Sequence, residues 1–306
     1  FINFILIRMP PDMDHSFLRG TGVALVTPFN LDKEIDFDAL EKVTQHVIAG
    51  QADYLVVMGT TGESVVLDTA EKKAVIAKIS EVNRGRLPLV LGIGGNNTGA
   101  VVKQIHDQDF KNISALLSVS PYYNKPSQEG IFEHFSAIAA ASPVPVIIYN
   151  VPGRTGSTIS PSTTLKLANA YSNIAATKEA SGDMEAIMEI ISKKPQAFMV
   201  ISGDDALTLP MLSIGADGVI SVIANALPYQ MSEIVRQARK NQFDVSKEIH
   251  YQILPMIKLI FSEGSPAGIK AALSHINLID NYIRAPLVPA SKALYEKIVS
   301  EMKSFM

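Results

Sequence analysis

A chain of 306 residues with 47% hydrophobic and 19% charged side chains can bury a large core, as one big domain or as two smaller ones. A net charge of -3, with no aromatic-interleaved Lys/Arg run, argues against a nucleic-acid partner. Cysteine is absent, which excludes disulfides, thiolate metal sites and cysteine nucleophiles and fits a reducing cytoplasm.

The first residues, Phe1 to Ile7, are apolar but are broken by Arg8, Pro10 and Pro11. They are too short to span a bilayer and have no basic segment before them, so neither a membrane anchor nor an export signal is expected. We read the residues before Met13 as an extension, within a poorly structured leader over residues 1–20. From Gly22 onward, apolar runs of strand length alternate with amphipathic stretches of helix length. The strands are expected at 23–27, 54–58, 87–93, 115–119, 144–150, 174–178, 198–202 and 218–222. Helical patterns lie between them, among others at 37–49, 70–82, 128–141, 163–170 and 184–192. Regular alternation implies a parallel sheet, and near-continuous apolar strands imply one covered on both faces. Eight such units predict an α/β fold of the (β/α)8 TIM-barrel class over residues 21–241. A C-terminal helical region, 242–306, follows with helices at 245–261, 267–275 and 290–302. A doubly wound open sheet is the competing topology. Its dinucleotide fingerprint would fall at Gly92-Ile93-Gly94-Gly95-Asn96-Asn97, where Asn97 occupies the place of the last glycine.

In such a barrel the loops after the strands converge on one mouth, where chemistry belongs. After the second strand stands Gly59-Thr60-Thr61-Gly62-Glu63-Ser64, after the fourth Ser120-Pro121-Tyr122-Tyr123-Asn124-Lys125-Pro126, and after the fifth Tyr149-Asn150-Val151-Pro152-Gly153-Arg154-Thr155-Gly156. Lys178 ends the sixth strand, Gly203-Asp204-Asp205 follows the seventh and Ile220 lies in the eighth. Strand alternation places Ile174, Ala176 and Lys178 on one face, so the amine follows apolar neighbours. Burial there would lower its pKa, as a Schiff-base nucleophile requires. Each feature also has an ordinary reading: a surface lysine, a tight glycine turn capped by threonines, core tyrosines, a surface arginine. Their joint placement at one mouth favours function. The two hydroxyls beside exposed N–H groups suit a small carboxylate, and Arg154 suits a bidentate grip on another. The six histidines, His15, His46, His106, His134, His250 and His275, form no metal-ligand pair, and no Gly-x-Ser-x-Gly elbow or P-loop occurs.

Taken in order, these motifs resemble the dihydrodipicolinate synthase family, within the pyruvate-dependent class I aldolase and lyase superfamily, from about Gly20 to the C-terminus. The resemblance implies a lyase that condenses pyruvate with L-aspartate-4-semialdehyde on the route to lysine and diaminopimelate, without metal or organic cofactor. It implies that Lys178 forms the pyruvate imine and that Tyr149 moves protons through a relay with Thr60 and Tyr123, the last entering a neighbouring subunit's mouth. It further assigns the pyruvate carboxylate to Thr61 and Ile220, with Gly203 beside them in the substrate site, and the semialdehyde carboxylate to Arg154. A homotetramer built as a dimer of dimers is expected. N-acetylneuraminate lyase or a 2-keto-3-deoxy sugar acid aldolase would share Lys178 and Tyr149. Thr60, Arg154 and the tyrosine pair favour the synthase, and the intact set argues against a non-catalytic barrel. One departure stands out. The pocket through which lysine inhibits some members carries Thr69, Lys72 and Ala100 here, although Ser64, Asn96 and Tyr122 remain, so weak or absent inhibition by lysine is expected.

Overall fold

The computed structural model describes residues 15–305. Eight parallel strands close into a barrel in sequence order: β1 (Gly20–Ala24), β2 (Tyr54–Val57), β3 (Leu89–Gly92), β4 (Ala115–Val119), β5 (Val146–Asn150), β6 (Ile174–Glu179), β7 (Met199–Ser202) and β8 (Gly218–Ser221). The (β/α)8 expectation therefore holds, and the open doubly wound sheet does not. Residues 1–14 of the expected leader lie outside the described residues. Residues 16–18 form a 3-10 turn whose Leu18 is fully buried with the residues that fill the barrel interior.

The first strand starts three residues earlier than expected because glycines, which an apolar pattern passes over, form its ladder. A Cβ on Gly22 would lie 2.1 Å from the Tyr54 ring, and one on Gly218 would lie 2.1 Å from the Gly20 carbonyl oxygen. Only bare backbone allows these strands to close on one another. Residues 25–27, expected as strand, lie beyond β1: Leu25 N–H makes a last bond to the Val56 carbonyl at 3.0 Å, after which Val26 N–H donates to Asn225 Oδ1 at 3.1 Å and Thr27 Oγ1 to the Gly62 carbonyl at 2.7 Å. The chain after β1 is thereby tied to the turn after β2.

Two apolar layers hold the barrel. Tyr54, Val56, Val90, Leu117, Ile147 and Ile201 are among those that fill the interior, while Leu55, Leu91, Leu116, Ile148 and Val200 face the helices. The helices outside are α1 (Phe37–Ala49), α2 (Thr69–Asn83), α3 (Thr98–His106), α4 (Gln128–Ala141), α5 (Pro152–Thr155), α6 (Pro161–Ala170), α7 (Met184–Lys193), α8 (Thr208–Ser213) and α9 (Pro228–Arg239). Local sequence starts most of them. Asp36, Asp68, Asn97, Ser127, Ser160 and Asp183 each accept from a backbone N–H of the first turn, and Asp68 forms a full capping box with Glu71. The C-terminal helices α10 (Phe243–Phe261), α11 (Ala267–His275) and α12 (Lys292–Met302) pack on one another, with α10 also against α8 and α9. Among the described residues no helix is long and apolar enough to cross a membrane.

Candidate active site

Lys178 and Tyr149 are register partners on adjacent strands β6 and β5. The Lys178 amine sits 4.2 Å from the centre of the Tyr149 ring, with the two side chains only 6% and 8% exposed. Among the described residues Lys178 makes no ion pair, so the negative face of the phenol ring is its electrostatic neighbour. The alternation expected for β6 is interrupted. A register shift between Val146 and Ile147 lets both Ala175 and Ala176 join the interior, whereas Ile174 packs in the outer layer. Ala176 and Lys178 share the inward face; Ile174 does not.

Gly203, at the end of β7, is what gives the lysine its room. A Cβ there would fall 2.9 Å from Lys178 Cε, 2.9 Å from the Ala180 Cβ and 3.1 Å from the Glu179 carbonyl oxygen. On the other side of β6, Glu179 is buried and accepts hydrogen bonds from Asn150 Nδ2 at 3.0 Å, Thr177 Oγ1 at 3.1 Å and Ser181 Oγ at 3.2 Å. Burial pushes its carboxyl up to about 7, against the pull of these three donors. Asn150 carries the tie onward: Ile159 N–H donates to its Oδ1 at 3.0 Å, which closes the base of the loop that bears α5. Arg154 lies on α5 between Pro152 at the helix start and Gly156, whose φ of 66° ends it, and its side chain is exposed and without an ion pair among the described residues.

After β2, Thr60, Thr61 and Gly62 form a 3-10 turn that ends on Glu63 in the left-handed region, at φ 52° and ψ 34°. Thr61 is buried and Thr60 exposed. Ile220 in β8 is 1% exposed, and the chain just beyond it is fixed by Asp205, which accepts from Val222 N–H at 3.1 Å and Ile223 N–H at 2.8 Å. Burial pushes Asp205 up to about 6. Tyr123 is 88% exposed and has a φ of 73°, so a large aromatic ring is presented outward from the loop after β4.

The structure therefore brings Lys178, Tyr149 and Gly203 into direct proximity and sets Thr61 after β2 and Ile220 in β8, the two strands that flank β1. It does not join the expected relay inside one chain: among the described residues no hydrogen bond links Thr60, Tyr149 and Tyr123. Sequence reasoning left Glu63, Asn150, Glu179 and Asp205 without a role, although Glu63, Asn150 and Asp205 stand inside the quoted motifs and Glu179 directly follows Lys178. It passed over Lys270 and Arg284 entirely. Nothing local marks those two, since they reach the mouth from the C-terminal helical region. Among the described residues no cluster of His, Asp and Glu could hold a metal ion.

Compared with known proteins, the chain is matched by the model of the Dihydrodipicolinate synthetase family over residues 17–305. It is 50% identical over 279 residues to 4-hydroxy-tetrahydrodipicolinate synthase of Flavobacterium psychrophilum, covering 91% of this chain and 95% of that protein. It is 47% identical over 281 residues to the same-named protein of Parabacteroides distasonis, covering 92% and 95%. The crystal structure of the chloride-inhibited dihydrodipicolinate synthase from Acinetobacter baumannii complexed with pyruvate superposes with a TM-score of 0.90 at 37% identity, over 93% of this chain and 98% of that one. With a closed eight-stranded barrel, a lysine facing a tyrosine at its mouth and relatives of this closeness along nearly its full length, the chain belongs to the dihydrodipicolinate synthetase family.

Proposed function

We propose that the chain is a 4-hydroxy-tetrahydrodipicolinate synthase, a lyase that condenses pyruvate with L-aspartate-4-semialdehyde in the cytoplasm. The observation that carries this reading is the Lys178 amine, nearly buried, unpaired and lodged 4.2 Å over the Tyr149 ring in the space left by Gly203. An amine so placed attacks the ketone carbon of pyruvate, and loss of water leaves a protonated imine. That cation draws electrons from the methyl group, which gives up a proton to form an enamine, and the enamine carbon attacks the aldehyde. The amino group of the semialdehyde portion then adds to the imine carbon, closes the ring and releases Lys178. Each step moves a proton, and in this reading the hydroxyl of Tyr149, whose ring faces the amine, carries it. An ordinary phenol, with a pKa of about 10, needs a hydrogen-bonded chain to do so near neutrality. Thr60 with Tyr123 of a neighbouring subunit supplies that chain in this reading, and the outward Tyr123 ring supports a homotetramer built as a dimer of dimers. Thr61 and the backbone of Ile220 hold the pyruvate carboxylate, and Arg154, on a loop braced by Asn150 and Glu179, holds that of the semialdehyde.

Borohydride reduction in the presence of pyruvate, followed by peptide mass spectrometry, tests the reading. A reduced pyruvate adduct is expected on Lys178 and none in Lys178→Ala; an unmodified Lys178 in enzyme that turns over would sink the imine. Turnover of N-acetylmannosamine in preference to aspartate semialdehyde would place the chain with the sugar-acid lyases instead.

A further inference from the structure

Behind the Thr60-Thr61-Gly62 turn lies a charge pair that the reaction as written does not use. Lys270, in α11, is fully buried, and its amine is paired with the equally buried carboxylate of Glu63, the residue that ends the turn. The same amine donates to the Tyr282 carbonyl at 3.0 Å and lies 4.2 Å over the Phe29 ring. The other carboxylate oxygen of Glu63 accepts from the Arg284 backbone N–H at 3.2 Å. The Arg284 guanidinium then reaches past Glu63 to donate to the Val66 carbonyl at 3.1 Å and to both Glu71 oxygens, at 2.8 and 2.6 Å. The segment 63–66 is thus gripped at both ends by the C-terminal helical region, while Thr60 and Thr61 stand just before it in the turn that Glu63 ends.

Two features make this more than a stray salt bridge. Glu63 adopts the left-handed conformation at φ 52°, which a residue with a Cβ holds only when its surroundings fix it. A buried ion pair is also a poor device for stability alone, because desolvating both charges offsets most of their attraction, and its attested use is to fix one arrangement among alternatives. Here the arrangement fixed is the turn that presents the Thr61 hydroxyl and N–H.

We propose that Lys270 is a positioning residue for the condensation: through Glu63 it sets the Thr60-Thr61-Gly62 turn in the geometry that receives the pyruvate carboxylate, which makes the C-terminal helices part of the substrate site. The proposal rests on the assignment of Thr61 to that carboxylate.

The test compares Lys270→Met, Glu63→Gln and the double variant Lys270→Met/Glu63→Gln with wild type, by thermal unfolding and by separate KM values for pyruvate and aspartate semialdehyde. Lys270→Met leaves a buried unpaired carboxylate and is expected to unfold at lower temperature; the double variant removes that charge and is expected to recover most of the loss. Neither has the tether, so the KM for pyruvate is expected to rise at least tenfold in both, with the KM for aspartate semialdehyde within about twofold of wild type. A purely structural pair predicts the opposite split, with pyruvate KM returning to normal as stability returns. A folded double variant with wild-type KM for pyruvate overturns the proposal. The parallel variant Thr61→Ala keeps the two readings apart. If it leaves the pyruvate KM unchanged while Lys270→Met raises it, the carboxylate assignment is what fails.

Discussion

The sharpest probe of the lysine's setting is Gly203→Ala. Gly203 has no positive φ, so the added methyl strains no backbone angle and acts only through space. It would sit 2.9 Å from Lys178 Cε and from the Ala180 Cβ, and 3.1 Å from the Glu179 carbonyl oxygen. Ordinary carbon–carbon contact is about 3.5 Å or more, so something must retreat by roughly 0.6 Å. The Ala180 Cβ and the Glu179 carbonyl belong to backbone that is hydrogen-bonded to its neighbours, Ala180 N–H to the Asn150 carbonyl at 2.9 Å and the Glu179 carbonyl to Gly203 N–H at 2.7 Å. The flexible partner is the lysine, which is displaced from its place over Tyr149. Overpacking of this kind costs about 1–3 kcal/mol of stability, which a chain of this size tolerates, whereas a misplacement approaching 1 Å at a reacting group costs about 100-fold in rate. The expected result is a folded protein whose rate of borohydride-trapped pyruvate adduct formation falls about 100-fold. Trapping within threefold of wild type would refute the claim that Gly203 shapes the space for Lys178.

Arg154→Ala is expected to raise the KM for aspartate semialdehyde about 10- to 100-fold, the loss of a charged hydrogen bond of about 1.5–3 kcal/mol, with pyruvate trapping untouched; an unchanged KM refutes the assignment. Mixing inactive Tyr123→Ala with inactive Lys178→Ala should restore partial activity through hybrid sites, and no recovery in demonstrably mixed oligomers argues against a tyrosine supplied in trans. Because burial raises Glu179 from 4.5 to about 7, the folded state holds this proton more tightly than the unfolded chain does. Its contribution to stability is therefore complete below about pH 4.5 and is lost as pH rises to about 7, by up to about 3 kcal/mol. Glu179→Gln lacks this dependence, so the urea midpoint of wild type should fall relative to the variant across that window; a constant difference contradicts it. Lysine should inhibit weakly or not at all, since Lys72 and the exposed Ala100 offer its ammonium no carboxylate, and half-inhibition below about 1 mM in a steady-state assay would overturn this.

The barrel was legible because its strands are apolar runs bounded by turn residues. β4 falls where the pattern places it, at 115–119, between Ser114 and Ser120. Where the reading slipped, backbone outweighed side-chain chemistry. Gly20 and Gly22 belong to β1 for what they lack, and the bulge between β5 and β6 moves Ile174 to the outer layer, which no local period reveals. Helix α3 begins at the Asn97 cap, at the end of the glycine-rich stretch Gly92 to Asn97 that starts like a nucleotide fingerprint. The site divides the same way. Lys178, Tyr149 and Gly203 are readable from strand ends because a barrel converges them. The Lys270–Glu63 pair is not, because 207 positions separate its members in sequence and only tertiary packing joins them.

Three buried acids stand immediately behind the proposed substrate contacts: Glu63 two residues from Thr61, Glu179 beside Lys178, and Asp205 under the backbone that follows Ile220. Their common placement answers a conflict inherent in this mouth. The strand-end loops need strong acceptors to fix their free N–H and hydroxyl donors, and carboxylates are the strongest available. Both proposed substrates are themselves carboxylates, which exposed acids at the mouth would repel. Burial resolves the conflict by different means. Glu63 is offset by Lys270, whereas burial pushes Glu179 up to about 7 and Asp205 up to about 6, so that near pH 6 Glu179 is mostly neutral and Asp205 about half so, where an exposed acid would be fully charged. Acceptors are thus supplied from behind the wall, and the positive field of Arg154 and of the Lys178 iminium faces the substrates with less opposition than acids exposed at the mouth would set against it.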